Sequence, residues 1–317
     1  MRHWNKWARG VGGVVVAGLA LSACDGSEDE VAAPVVVADP CPAITTGGAT
    51  SPVAAPYVCA ANVGVSDLEK SVAFYKALGL TEKARLRRID REEVVLVSPD
   101  GLGSALVLFR HLDTTGRDYT KNPGKIVFYV KDAAAFGATF AQAGGALTAP
   151  PAPYQNTVVG FGRDRDSNLV EIAQSATATS AYLSAIGIGV SDLEAARTYY
   201  VNVLGLQVAA KLSVAKPNGL GGTTPWYDEY ILTSPARKGS SVVLMTYTDG
   251  TQKNYTNVPV AVGLRVPDPA LYAKGITDAG GTVTTPPAAS TEAVLGGALT
   301  GTAKDADGTQ LLFFKAP

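Results

Sequence analysis

The spacing of apolar positions changes from two to three or four within a few residues, and it does so four times along the chain. In SAIGIGVSDLEAARTYYVNVLGL, Ile186, Ile188 and Val190 alternate with Ala185, Gly187 and Gly189, the period of a strand with different neighbours on its two faces. A helix is predicted directly after it. VGVSDLEKSVAFYKALGL, residues 63–80, repeats the design, with Leu68, Val72, Tyr75 and Leu78 forming an apolar stripe that suits packing on a sheet. Ser66-Asp67-Leu68-Glu69 and Ser191-Asp192-Leu193-Glu194 read as capping boxes, with Ser at the cap and Glu reaching back to it. Gly79 and Gly205 stand where a left-handed residue ends the helix.

A second pair of matching segments lies between these two. KIVFYVKDAAAFGATFAQAGGALTAPP (125–151) aligns with AVGLRVPDPALYAKGITDAGGTVTTPP (261–287), 136 residues on, through Asp132 and Asp268 and through Gly144 and Gly280. The first pair is offset by 125, from Asp67 to Asp192. Asp268-Pro269 opens the fourth helix with a cap and a proline at the first helical position. Apolar runs such as EEVVLVSP, GSALVLFRH, YILTSP and SSVVLMTY then read as strands. The prediction is an α+β chain of four βαβββ units. The repeats divide the chain into two modules, residues 57–175 and 181–317.

The beginning of the chain follows other rules. MRHWNKWARG is basic, and VGGVVVAGLALSA is apolar but too short to span a bilayer, so residues 1–23 read as a secretion signal. Its end, Leu21-Ser22-Ala23-Cys24, resembles the lipobox of bacterial lipoproteins, which implies cleavage before Cys24 and lipidation of its sulfur. More than one acyl chain there suffices for stable anchoring. Asp25 resembles the signal for inner-membrane retention, so the expected place is the periplasmic face of that membrane. Residues 24–56, rich in Pro, Ala, Gly and acidic side chains, read as a disordered tether. Cys41 and Cys59 could pair or stay as thiols. A net charge of −1 and the absence of a basic run in the mature part argue against nucleic acid as a partner.

The repeated V-S-D-L-E…F-Y…L-G-L and the closing D-x-D-S-N-L-V-E of residues 164–171 resemble the vicinal oxygen chelate superfamily: glyoxalase I, extradiol dioxygenases, and fosfomycin and bleomycin resistance proteins. The resemblance spans residues 57–315 and implies two glyoxalase-like modules in which βαβββ units pair to curl mixed sheets around cavities. Metal-dependent members carry a His, Gln or Glu seven residues before the helix-capping Asp. Here those positions hold Ala60, Lys125, Ala185 and Ala261. The last-strand Glu survives as Glu171, whereas Leu312 takes the matching place, and the ligand site late in the first unit falls near Leu108 and Leu244. His111 is the one histidine beyond His3 and reads as a solvated strand end, so two His and a carboxylate cannot be assembled within one chain. No metal or other cofactor is expected.

The resemblance turns Lys125 and Glu171 into the cavity. The Lys125 ammonium would then stand where a metal's charge would be, paired with Glu171; the bland alternative is two solvated rim residues. By the same parity Asn62, Tyr129, Arg265 and Gln310 face inward. Trp226, in KPNGLGGTTPWYDEY, belongs either to a lid or to a long hairpin loop. The functional expectation is a membrane-tethered protein that binds a small organic ligand without turning it over. The alternatives are a glyoxalase- or dioxygenase-type enzyme with an atypical or inter-chain metal site, and a structural envelope lipoprotein. Oligomeric state and the pairing of modules within or between chains stay open.

Overall fold

The computed structural model describes residues 55–315, except 89, 114–117, 155, 218–222, 236–237, 251–254, 256–258 and 291–297. The signal segment, Cys24, Cys41 and nearly all of the tether lie outside these residues. Cys59, buried in the first strand, is disulfide-bonded.

The four units follow one another as expected. Unit one is β1 (Tyr57–Gly64), α1 (Leu68–Ala77), β2 (Thr81–Arg87), β3 (Arg91–Val97) and β4 (Ala105–His111). Unit two is β5 (Lys125–Val130), α2 (Ala133–Gln142), β6 (Ala146–Tyr154), β7 (Thr157–Arg163) and β8 (Leu169–Gln174). Unit three is β9 (Tyr182–Gly189), α3 (Leu193–Asn202), β10 (Gln207–Pro217), β11 (Thr223–Thr233) and β12 (Ser241–Tyr247). Unit four is β13 (Val260–Arg265), α4 (Pro269–Asp278), β14 (Thr282–Ala289), β15 (Leu299–Lys304) and β16 (Gln310–Lys315).

Strand order corrects one expectation. The halves 57–175 and 181–317 do not each close a sheet of their own. The first sheet runs β14-β15-β16-β13-β1-β4-β3-β2 and so joins units one and four; the second runs β10-β11-β12-β9-β5-β8-β7-β6 and joins units two and three. Both therefore close within one chain. At each centre the first strands of two units pair antiparallel, β1 on β13 and β5 on β9. Repeat patterning cannot choose between these pairings, because all four first strands present the same alternation to a neighbour.

One face of each sheet joins the four helices in a common core that includes Val58, Tyr75, Phe128, Ile186, Leu264 and Phe313. The other faces carry separate clusters, around Ala60, Val95, Val107 and Leu312 in the first sheet and around Val127, Tyr227, Phe161 and Leu169 in the second.

The capping prediction shifts by one residue. Each helix is capped by Asp, the carboxylates of Asp67, Asp132, Asp192 and Asp268 accepting backbone N–H groups of the first turn. Ser66 and Ser191 are thereby released for another task. The Asp166 carboxylate accepts the Ser66 backbone N–H at 2.9 Å and its hydroxyl, together with the Ser71 hydroxyl at 3.2 Å. Asp164 accepts the Tyr75 hydroxyl at 2.6 Å. Asp307 and Asp305 repeat the arrangement with Ser191 and Tyr200. The D-x-D turn of a unit in one sheet thus grips the helix of a unit in the other. Gly79, Gly144, Gly205 and Gly280 end the helices at positive φ, as their spacing predicts.

Candidate functional site

The second sheet gathers the charged residues. β5 enters it at Lys125 beside Gly187 of β9, where a Cβ would stand 2.6 Å from the Lys125 Cγ and 2.8 Å from its backbone N. Only a glycine leaves room for the lysine stem there. The next strand, β8, pairs Glu171 with Val127, and alternation returns Glu171 to the face that carries Lys125. From the other arm, β11 brings Glu229, paired with Met245 of β12.

These three side chains meet out of solvent, with relative exposures of 2, 2 and 0% for Lys125, Glu171 and Glu229. The Lys125 ammonium donates to Glu229 Oε2 at 2.8 Å and lies 2.9 Å from Glu171 Oε2. It also lies 5.4 Å from the centre of the Tyr227 ring. Burial works against the charged lysine, but Glu171 and Glu229 outweigh it and raise its pKa well above the ordinary value. Burial lifts the Glu171 carboxyl and Glu229 adds to that lift, more than Lys125 lowers it. Three polar atoms here lack hydrogen-bond partners: Glu171 Oε2, which faces the ammonium as an ion pair, Glu229 Oε1 and the Tyr227 hydroxyl.

The curl of the sheet covers the cluster with aromatic rings. Trp226 of β11, half-buried, stands 4.8 Å from the Tyr227 ring and 6.0 Å from that of Phe161 on β7, near the opposite edge of the sheet. Tyr247 of β12 stacks edge-on to Tyr227, and Tyr129 of β5 packs in the two clusters that Trp226 joins. Trp226 therefore belongs to a strand of a long hairpin; the connecting residues 218–222 lie outside the described set.

Of the residues singled out in the sequence, Lys125, Glu171, Tyr129 and Trp226 come together in this sheet. Asn62, Arg265 and Gln310 sit in the first sheet on the corresponding face. There Asn62 donates to the Ala261 carbonyl at 3.4 Å, Arg265 is 2% exposed and Gln310 is half-buried. His111 is half-buried at the end of β4, its ring 5.4 Å from that of Phe109.

Glu229 is the residue that sequence reasoning passed over. A signal for it exists, because Glu93-Val94-Val95-Leu96-Val97-Ser98-Pro99 matches Glu229-Tyr230-Ile231-Leu232-Thr233-Ser234-Pro235 at the same offset of 136. Glu93 is also buried, 3% exposed, but its own hairpin supplies the counter-charge, Arg91 Nε at 2.5 Å and Arg88 Nε at 2.8 Å.

The metal ligands that the resemblance implies are not matched by this donor set. The ammonium occupies both carboxylates, and a lysine held in its charged form has no lone pair to give. Among the described residues no group of three or more His, Cys, Asp or Glu is placed to hold a metal ion.

Comparison with known proteins agrees with this architecture. Residues 57–172 match the family model of the Glyoxalase/Bleomycin resistance protein/Dioxygenase superfamily. Glyoxalase I from Zea mays is similar over 82% of this chain and 92% of its own, with 18% identity and a TM-score of 0.65. A candidate dioxygenase from Bacillus subtilis is similar over 82% and 85%, with 12% identity and a TM-score of 0.59. No curated protein matches the chain in sequence. Residues 57–172 thus carry the match to the Glyoxalase/Bleomycin resistance protein/Dioxygenase superfamily model, and the described residues have the fold of glyoxalase I.

Proposed function

We propose that this is a membrane-tethered protein whose second sheet binds a small organic ligand on its inner face without a metal. The observation that carries the reading is the buried Lys125–Glu171–Glu229 cluster. An ammonium that two carboxylates keep charged supplies a fixed positive charge where metal-dependent relatives of this fold are expected to place a histidine ligand. Around it stand aromatic faces, and Glu229 Oε1 and the Tyr227 hydroxyl have neither a hydrogen bond nor an ion pair, a composition suited to orienting an organic molecule. Cys24 supplies the lipid anchor, and the periplasmic face of the inner membrane is the proposed location.

Metal analysis and native mass spectrometry of full-length protein extracted from membranes test this. The expected result is a co-purifying small molecule without stoichiometric iron, zinc, nickel or manganese. One equivalent of any of these metals overturns the metal-free reading in favour of an enzyme. Cys24→Ser is expected to leave the chain uncut or soluble, and recovery of wild-type protein mainly with outer membranes would refute the placement.

A further inference from the structure

The charges in the cluster do not balance. One ammonium faces two carboxylates, and a fully ionised cluster carries a net −1. Only one oxygen of Glu229 is engaged by Lys125, while its Oε1 is buried without a hydrogen-bond partner. Two residues away on the same face of β11, the fully buried Tyr227 hydroxyl has no partner either. Unpaired polar atoms in a protein interior carry a desolvation cost that a ligand group removes when it pairs with them.

The roof above them has matching chemistry. Trp226, Tyr227 and Phe161 present π faces, and such faces attract cations. The rim cations are already engaged: Lys216 pairs with Asp249 at 2.7 Å, and Arg163 donates to the Ser167 carbonyl at 2.9 Å. The Trp226–Phe161 contact joins side chains from the two arms of one curled sheet, with β12, β9, β5 and β8 lying between their strands. That contact is made by side chains alone, so the two rings can part without breaking a strand pair.

We infer that the ligand of this site is a planar organic cation, such as an amidinium or a protonated nitrogen heterocycle, which parts Trp226 from Phe161 and donates to Glu229 Oε1 and the Tyr227 hydroxyl. This rests on the ligand-binding reading above and adds the sign and shape of the ligand. A carboxylate-bearing ligand of equal size would meet Glu229 as a like charge and is excluded. A neutral amide keeps the shape but loses the charge.

Those three chemistries form the test. Benzamidinium, benzamide and benzoate are titrated into the full-length protein, with tryptophan emission and melting temperature as readouts. Benzamidinium is expected to shift the emission and raise the melting temperature, and to bind at least about tenfold more tightly than benzamide, since a charge-assisted hydrogen bond exceeds a neutral one by about that factor. Benzoate is expected to have no effect. Trp226→Phe should abolish the emission change while leaving the protein folded. Glu229→Gln should weaken benzamidinium about tenfold; if that variant does not fold, the contrast among the three probes decides.

Equal or tighter binding of benzoate or benzamide overturns the inference, as does an emission change that survives Trp226→Phe. If no probe binds but mass spectrometry finds a neutral or anionic molecule bound to the protein, the cationic assignment falls and the binding reading stands. If neither probe nor co-purified molecule binds, both fall.

Discussion

Lys125 is the residue on which the second sheet depends most, because deleting its charge leaves two carboxylates buried with no opposite charge. Lys125→Met is expected to cost about 3–5 kcal/mol, read as a lower midpoint in chemical denaturation. An exposed pair would cost under about 1 kcal/mol, so a midpoint within that margin would remove Lys125 from the role assigned to it. The raised Glu171 carboxyl has a consequence of its own. A carboxyl whose folded pKa exceeds its unfolded value binds its proton more tightly when folded, so stability falls as pH rises from about 4.3 toward the folded value. The Lys125 shift has the opposite effect on charge: its contribution is complete below about 10.4 and is lost only in strong alkali. Glu171→Gln should therefore gain stability relative to wild type between pH 4.5 and 8. Denaturation at both pH values checks this, and a constant difference would show that Glu171 does not titrate in the window. Lys125 was legible in the sequence by a count of seven back from the helix-capping Asp132, and Glu171 by its place in the closing D-x-D-S-N-L-V-E, both through the family resemblance. Glu229 was harder to see, since a lone acidic residue in an apolar strand reads equally well as the solvent-facing half of an alternation.

Among the elements, the helices were the most legible, because capping and termination are local chemistry written in consecutive residues. The one-residue slip at the caps has a physical reason. Ser and Asp are both competent N-caps, and the choice was made by Asp166 and Asp307, which draw the serine hydroxyls away from the helix. Those carboxylates come from turns 100 and 116 residues distant, beyond any local window. Tyr75 anchors the same junction through the buried Asp164, whose carboxyl burial pushes up while Tyr75 and Asn168 pull it down. Tyr75→Phe removes a donor without changing the packing and is expected to cost about 1–3 kcal/mol. Equilibrium denaturation measures it; no loss would mean that other groups satisfy Asp164 unaided.

For the molecule as a whole, the crossed assembly decides what can fold alone. A fragment ending after β8 keeps β1 and β5 but loses β13 and β9, so the centre of each sheet becomes an open edge. Such edges pair with other chains. Residues 55–178 produced alone should self-associate and be rescued by co-production with residues 179–317, as size-exclusion chromatography would show. A folded, monomeric half would contradict the strand order. The composition of four units was visible in advance because repetition survives in the residues, whereas partner choice is a long-range decision among near-equivalent strands.

Glu93 and Glu229 occupy matching places in a duplicated unit, yet their counter-charges come from different distances along the chain: Arg91 two residues away and Lys125 at a separation of 104. The difference decides how much of the chain must be in place before each carboxylate finds its partner. The first sheet holds its carboxylate with arginines on the same hairpin, and the positions matching Lys125 and Glu171 are Ala261 and Leu312 there. In the second sheet replacing Lys125 leaves two carboxylates in the interior without an opposite charge, whereas replacing one carboxylate leaves a balanced pair. The counter-charge of Glu93 is therefore secured inside a single hairpin, whereas that of Glu229 exists only once two distant units have joined in one sheet.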